Sequence, residues 1–159
     1  MKIDLYEELI GLIEALSYSK IDYALCGGIA VAFYGYPRFT RDIDLLIRRN
    51  ELDEVLEVVK KRGFTIEAGT IPIGGKSKEK TEIVRISKVD ESDLLTLDLV
   101  LVSPGLEDVW ENRELFHWLG REVVVVSREG LMKMKRLAGR DQDLLDLKML
   151  GMNDHEQAT

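Results

Sequence analysis

The sequence predicts one α/β (α+β) domain, a mixed β-sheet flanked by helices and closed by two C-terminal helices. Three observations carry that expectation. Short apolar stretches of strand-forming residues alternate along the chain with amphipathic helical stretches. Two of the most apolar strands nevertheless contain aspartates, at Asp42, Asp44 and Asp98. The 159 residues suffice for a single core, and no internal repeat or low-complexity segment interrupts them.

The elements follow in order. Leu5, Leu9, Leu12, Ile13 and Leu16 form a helical stripe over 4–18, and Asp4 with Glu7 suggests a capping box at its start. YALCG (23–27) reads as a short strand running into the Gly27-Gly28 pair, and GIAVAFYGY (28–36) as a short buried helix ended by Gly35 and Pro37. RDIDLLI (41–47) is the next strand. NELDEVLEVVKKRG (50–63) is a helix with Asn50 as N-cap, a stripe of Leu52, Val55, Leu56 and Val59, and Gly63 as its stop. FTIEAG (64–69) and EIVRIS (82–87) alternate as strands, separated by the polar loop GGKSKEK. LLTLDLVLV (94–102) and REVVVVS (121–127) are strands, and REGLMKMKRLAG and RDQDLLDLKMLG are helices. The domain is expected over 1–152, with 153–159 a polar, frayed tail.

Composition narrows the function. Apolar residues are 45% and charged residues 32%, an ordinary soluble balance. No apolar run of 18 residues occurs, and the acid-bearing N-terminus does not read as a signal peptide, so no membrane partner is expected. Cys26 is the only cysteine, which fits a reducing compartment, and the cytoplasm is the expected location. A net charge of −7 argues against a broad surface for nucleic-acid backbone. It leaves room for a local basic patch around Lys133, Lys135, Arg136 and Arg140, and it suits a substrate that arrives with metal cations.

The chemistry lies in the acids. Asp42 and Asp44 are two apart on a strand, so they share a face at roughly 7 Å along it. Two anions side by side repel, and neither is comfortable in apolar surroundings. Asp98 sits between apolar residues in a strand expected to be central, where an unpaired acid is costly. Three such carboxylates suit one or two Mg²⁺ (or Mn²⁺) ions, hard cations completed by water and phosphate oxygens. Paired metals serve in-line phosphoryl chemistry. The Gly27-Gly28 pair lets the backbone approach closely, and the helix that follows offers free N–H groups to a phosphate. Thirteen residues separate Gly28 from Asp42.

LCGGIAVAFYGYPRFTRDIDLLI, with Asp98 beyond it, resembles the signature of the DNA polymerase β-type nucleotidyltransferase superfamily. The likeness covers residues 23–102. LMKMKRLAGRDQDLLDL resembles the Lys…Ala-x-Arg-x-x-Asp-x-x-Asp helices of a branch akin to the AbiEii toxins of type IV toxin–antitoxin systems. The resemblance implies a nucleotidyltransferase fold and transfer of a nucleoside monophosphate from an NTP to an acceptor hydroxyl, with release of pyrophosphate. It implies that Asp42 and Asp44 bind both metals, and that Asp98 binds the catalytic metal and helps to activate the acceptor. Gly27 and Gly28 would hold the β- and γ-phosphates, and Lys135 would contact triphosphate or acceptor. Asp143 and Asp146 share a face with Lys135 if helical order persists, and would tie the last helices to the site. The acceptor stays open between an RNA end, a protein and a small molecule. A non-catalytic alternative also stands: a nucleotide-sensing or partner-binding module with a cognate antitoxin.

Other residues are read plainly. Arg38 and Arg41 either steer the triphosphate or pair with the acids. GGKSK misses the Walker spacing by one residue, since Thr70 stands where glycine is needed. His117 and His155 are structural or surface residues, Cys26 a packed apolar residue, and Met132, Met134, Met149 and Met152 helix-packing residues.

Overall fold

The computed structural model describes residues 3–73 and 81–157. The loop GGKSKEK, with its Walker-like fragment, lies outside the described residues, as do the side chains of Met152 and His155.

Helix α1 (Leu5–Tyr18) begins as the sequence predicts: the Asp4 carboxylate accepts from the backbone N–H groups of Tyr6 and Glu7, both at 3.0 Å. Its stripe of Leu9, Leu12, Ile13 and Leu16 is buried. Strand β1 (Ala24–Cys26) runs directly into α2 (Gly27–Phe33), and the chain returns as β2 (Asp42–Ile47). Helix α3 (Leu52–Lys61) buries Val55 and Val59. Asn50 is not its N-cap. A 3₁₀ turn (Arg49–Glu51) comes first, and no side chain caps α3. Its entry is held instead by Arg48 forked onto Glu107, at 2.7 and 2.6 Å, and by Arg49 on Glu82 at 2.9 Å.

The strands β3 (Ile66–Ile73), β4 (Thr81–Asp90) and β5 (Asp93–Leu101) then form a meander longer than the alternation suggests. Two elements were not foreseen, α4 (Glu107–Glu111) and β6 (Glu114–Trp118). β6 pairs antiparallel with β7 (Arg121–Val125) through Leu119 and Gly120, both at positive φ, the geometry of a two-residue primed hairpin turn. The usual cue for that turn is Asn-Gly, and here leucine occupies the first position at φ 51°. Helices α5 (Arg128–Ala138) and α6 (Asp141–Gln157) finish the chain. α6 thus takes in most of the segment expected as a tail.

The seven strands form one mixed sheet in the order β3-β4-β5-β2-β1-β7-β6. β2 lies at its centre, parallel to β5 and antiparallel to β1. Ile43, Leu45 and Ile47 on β2 and Leu97, Leu99 and Leu101 on β5 are all essentially inaccessible. Burying such a side chain contributes about 1.5–3 kcal/mol. This apolar face fixes the register, because a slip of one residue would turn the aspartates into the core.

Candidate active site

Register brings the acids together. β2 and β5 run parallel with Asp42 beside Thr96 and Asp44 directly beside Asp98. Neighbouring strands lie about 4.8 Å apart, so Asp44 and Asp98 are cross-strand neighbours on one face. Asp98 is 5% exposed, Asp44 is half-buried and Asp42 is exposed at the strand's start. The crowding shows in their acidity. Burial first, then the charges of Asp98 and Asp42, pushes the Asp44 carboxyl up to about 7. Burial and the charge of Asp98 also raise Asp42.

Gly27 seats Asp44. It stands at φ +70°, where side chains are strained, and a Cβ there would lie 2.1 Å from Asp44 Oδ2. A Cβ on Gly28 would lie 2.8 Å from Arg38 Nη2 and 3.1 Å from Thr40 Oγ1. The glycine pair therefore makes room for the side chains of the approach to β2, a role not foreseen from the sequence. Beside Asp44 lies a small cleft of about 60 Å³, lined among others by Cys26, Gly27, Met134, Lys135 and Arg140. Cys26 is buried, and burial together with the Asp44 charge holds its thiol well above the usual range, as befits a packing residue.

Arg85 was not foreseen. It stands opposite Asp98 on β4 and forks onto it, Nε to Oδ1 at 2.8 Å and Nη2 to Oδ2 at 3.0 Å. In EIVRIS an arginine reads as a solvent-facing residue of an alternating strand. The available signal was indirect: a buried acid in the neighbouring strand requires a cation.

Arg41 turns elsewhere. Its guanidinium pairs with Asp93 at the start of β5 and reaches the Leu94 carbonyl at 3.4 Å. Arg38 donates to Asp146 Oδ2 at 3.1 Å. Lys135 is 5% exposed, its ammonium 3.2 Å from Asp143 Oδ1 and 2.9 Å from Asp146 Oδ2. Helical order does not persist from Lys135 to these acids. Gly139 caps α5 in the left-handed conformation at φ 64°, and the turn folds α6 back so that both acids meet Lys135. Arg140 adds a bond to Asp143 Oδ2 at 2.8 Å. Burial alone would raise Asp143, but the Arg140 bond and the Lys135 charge outweigh it and hold the carboxyl below its usual range. The expected basic patch is largely paired internally, since Lys133 is bound to Asp108 as well.

As the side chains lie, no group of three or more Asp, Glu, His or Cys among the described residues is arranged to hold a metal ion. Asp42 and Asp44, crowded and raised, nonetheless fit a hard divalent cation, which would remove the repulsion between them. Asp98 already has a cation, Arg85, bonded to both of its oxygens.

The fold is that of the nucleotidyltransferases. The chain belongs to the aminoglycoside-2''-adenylyltransferase family, whose model matches residues 8–150. Curated protein sequences give no match. Among solved structures, the lincomycin-bound lincosamide antibiotic adenylyltransferase LnuA is similar at a TM-score of 0.61 and 17% identity, covering 91% of this chain and 95% of that one. A nucleotidyltransferase from Thermotoga maritima described as putative superposes at 0.63 and 15% identity, over 97% and 96%. ANT(2'')-Ia in complex with adenylyl-2''-tobramycin superposes at 0.59 and 13% identity, over 92% and 87%. At these identities the likeness establishes the fold. The AbiEii-like branch gains no support from these matches. No helix among the described residues is long and apolar enough to cross a membrane.

Proposed function

We propose that the protein transfers a nucleoside monophosphate, AMP by analogy with its family, from an NTP to a hydroxyl of a small, polar, cationic acceptor. The observation that carries this reading is the pairing of Asp44 with Asp98 on adjacent parallel strands, with Asp42 two residues away. The acceptor class draws support from the family and from the net charge of −7, which favours a cationic molecule such as an amino sugar over nucleic acid. The internal pairing of Lys133, Lys135 and Arg140 also weakens the case for an RNA end. An antitoxin-paired, non-catalytic module finds no observation in its favour.

Asp42 and Asp44 would hold Mg²⁺ or Mn²⁺, joined by Asp98. When bound, such ions stabilise charge on the attacking and leaving oxygens of an in-line displacement. The chain's own contribution is placement. The acceptor oxygen attacks the α-phosphorus, the bond from that phosphorus to the bridging oxygen of pyrophosphate breaks, and the hydroxyl proton passes to Asp98. Gly27 leaves bare backbone at the cleft, where N–H groups at the start of α2 can meet the β- and γ-phosphates. Lys135 lines the same cleft, and its charge, though bonded to Asp143 and Asp146, lowers the Asp44 carboxyl.

The test is turnover: ATP, Mg²⁺ and a panel of aminoglycosides and lincosamides, read by pyrophosphate release and by a mass gain of one AMP on the acceptor. The expected result is transfer to at least one, abolished in Asp44→Asn. Failure of every NTP to stabilise the protein against heat in the presence of Mg²⁺ would overturn the reading.

A further inference from the structure

We propose that Arg85 is a counter-ion gate on Asp98: its guanidinium holds the third carboxylate until a divalent cation takes its place, and once freed it binds the phosphates of the donor. This inference rests on the nucleotidyl-transfer reading of the same site.

The geometry supports each part. Both oxygens of Asp98 are engaged by the fork, so the carboxylate presents no oxygen free of arginine to an incoming ion. The two partners differ in exposure, the Asp98 side chain being 7% accessible and that of Arg85 39%. The arginine therefore reaches the acid from the solvent side and can leave without opening the core. The other cations nearby are tied differently. Lys135 and Arg140 are bonded to Asp143, and Arg38 to Asp146, whereas among the described residues Arg85 is the cation hydrogen-bonded to one of the three acids. An arginine fork matches two phosphate oxygens as well as it matches a carboxylate. A divalent cation arriving with a triphosphate thus offers both groups a new partner. Asp98 exchanges arginine for metal, and Arg85 exchanges carboxylate for phosphate. No bond other than these ion pairs is made or broken.

A merely neighbouring positive charge makes a different prediction for metal binding. If Arg85 acts only through its charge, Arg85→Lys leaves metal affinity as in wild type. If its fork competes for Asp98, Arg85→Lys also strengthens metal binding, and Arg85→Met strengthens it further.

The experiment measures Mn²⁺ binding to the nucleotide-free protein by calorimetry or electron paramagnetic resonance, then ATP binding in Mg²⁺, for wild type, Arg85→Met and Arg85→Lys. Asp44→Asn is the control. The proposal expects Arg85→Met to bind Mn²⁺ about tenfold more tightly, the scale of one charge-assisted pair removed as competitor. It also expects that variant to bind MgATP more weakly by a similar factor. Arg85→Lys, which keeps the charge without the fork, falls between on both measures and guards against a misfolded methionine variant. Unchanged or weaker Mn²⁺ binding in folded Arg85→Met, or wild-type binding in Arg85→Lys, with Asp44→Asn still losing the ion, overturns the gate and leaves the site intact. If Asp44→Asn binds Mn²⁺ as well as wild type, the metal reading fails and the gate fails with it.

Discussion

Two clusters of charge meet at one cleft, lined by Asp44 of one and by Lys135, Arg140 and Asp143 of the other, and they are built on opposite principles. In the helical cluster, three cations (Lys135, Arg38 and Arg140) meet two acids (Asp143 and Asp146), with Gln142 donating to Asp146 at 3.0 Å as well. In the strand cluster, three acids (Asp42, Asp44 and Asp98) meet the single fork of Arg85. The first is complete, since each charge has its partner within the protein. The second carries an excess of negative charge that the nearby charges of Lys135 and Arg140 offset only in part. Local acidity reports the difference: Asp143 is held below the usual carboxylate range, whereas Asp44 is pushed up to about 7. One cluster is thus satisfied from within the chain, and its neighbour is left strained. Strain of this kind accompanies function more often than stability.

The comparison is broken most severely by removing an acid from the strained cluster. Asp44→Asn should lower adenylyl transfer by roughly 10³-fold or more, on the scale of losing a principal electrostatic stabiliser. It should leave the fold intact and raise stability at neutral pH, because asparagine ends the repulsion. Steady-state kinetics and urea unfolding on the same sample check both. A variant that lost stability along with activity would place Asp44 in the structural class.

The reverse change belongs to the satisfied cluster. Lys135→Met leaves Asp143 and Asp146 buried with less cationic compensation, and breaking a buried pair costs about 3–5 kcal/mol. Urea unfolding should show that loss. Arg38 and Arg140 still reach the two acids, so the lower end of the range is expected.

Acidity sharpens the contrast. The Asp44 carboxyl stands near 7 in the folded protein against about 3.9 in an unfolded chain, so between those values the folded state binds more protons. Without metal, stability should therefore be greatest below about pH 4 as far as this group is concerned, and fall as pH rises to about 7, by a few kcal/mol. Asp143, depressed instead, contributes the opposite slope in the acid range. Thermal unfolding across pH in a chelating buffer should show the neutral-range decline in wild type and its absence in Asp44→Asn. Millimolar Mg²⁺ should restore wild type alone.

How much of this was legible follows from which interactions are local. The acids of β2 and β5 were readable because each breaks an apolar run, and alternation places Asp42 and Asp44 on one face whatever the partner strand. The start of α1 was readable because Asp4 bonds within its own turn. Arg85 was not, since its meaning depends on the register of β4 against β5, a long-range fact that EIVRIS does not contain. The bonding of Lys135 to Asp143 and Asp146 was not readable: the sequence places the three on one face only if helical order persists, and Gly139 reverses the chain instead. β6 was hidden by its largely exposed side chains and by a hairpin turn with leucine where asparagine is customary.

The smallest expected effect tests whether partial exposure separates the structural pairs from the functional ones. Arg41 precedes β2, and the sequence allows it either to steer a triphosphate or to pair with the acids of that strand. The structure gives it a structural pairing with a different acid: its guanidinium is bound to Asp93, and that carboxylate also accepts from the Ile3 N–H at 2.7 Å. The Arg41 side chain is 40% accessible, and ion pairs at such exposure contribute about 0–1 kcal/mol. Arg41→Gln should thus cost under about 1 kcal/mol in urea unfolding, a cost that shrinks further in high salt. The nucleotide KM should stay within about twofold of wild type, a difference of about 0.4 kcal/mol in binding. A rise of tenfold or more, with stability preserved, would move Arg41 from the satisfied side of the comparison to the side that waits for substrate.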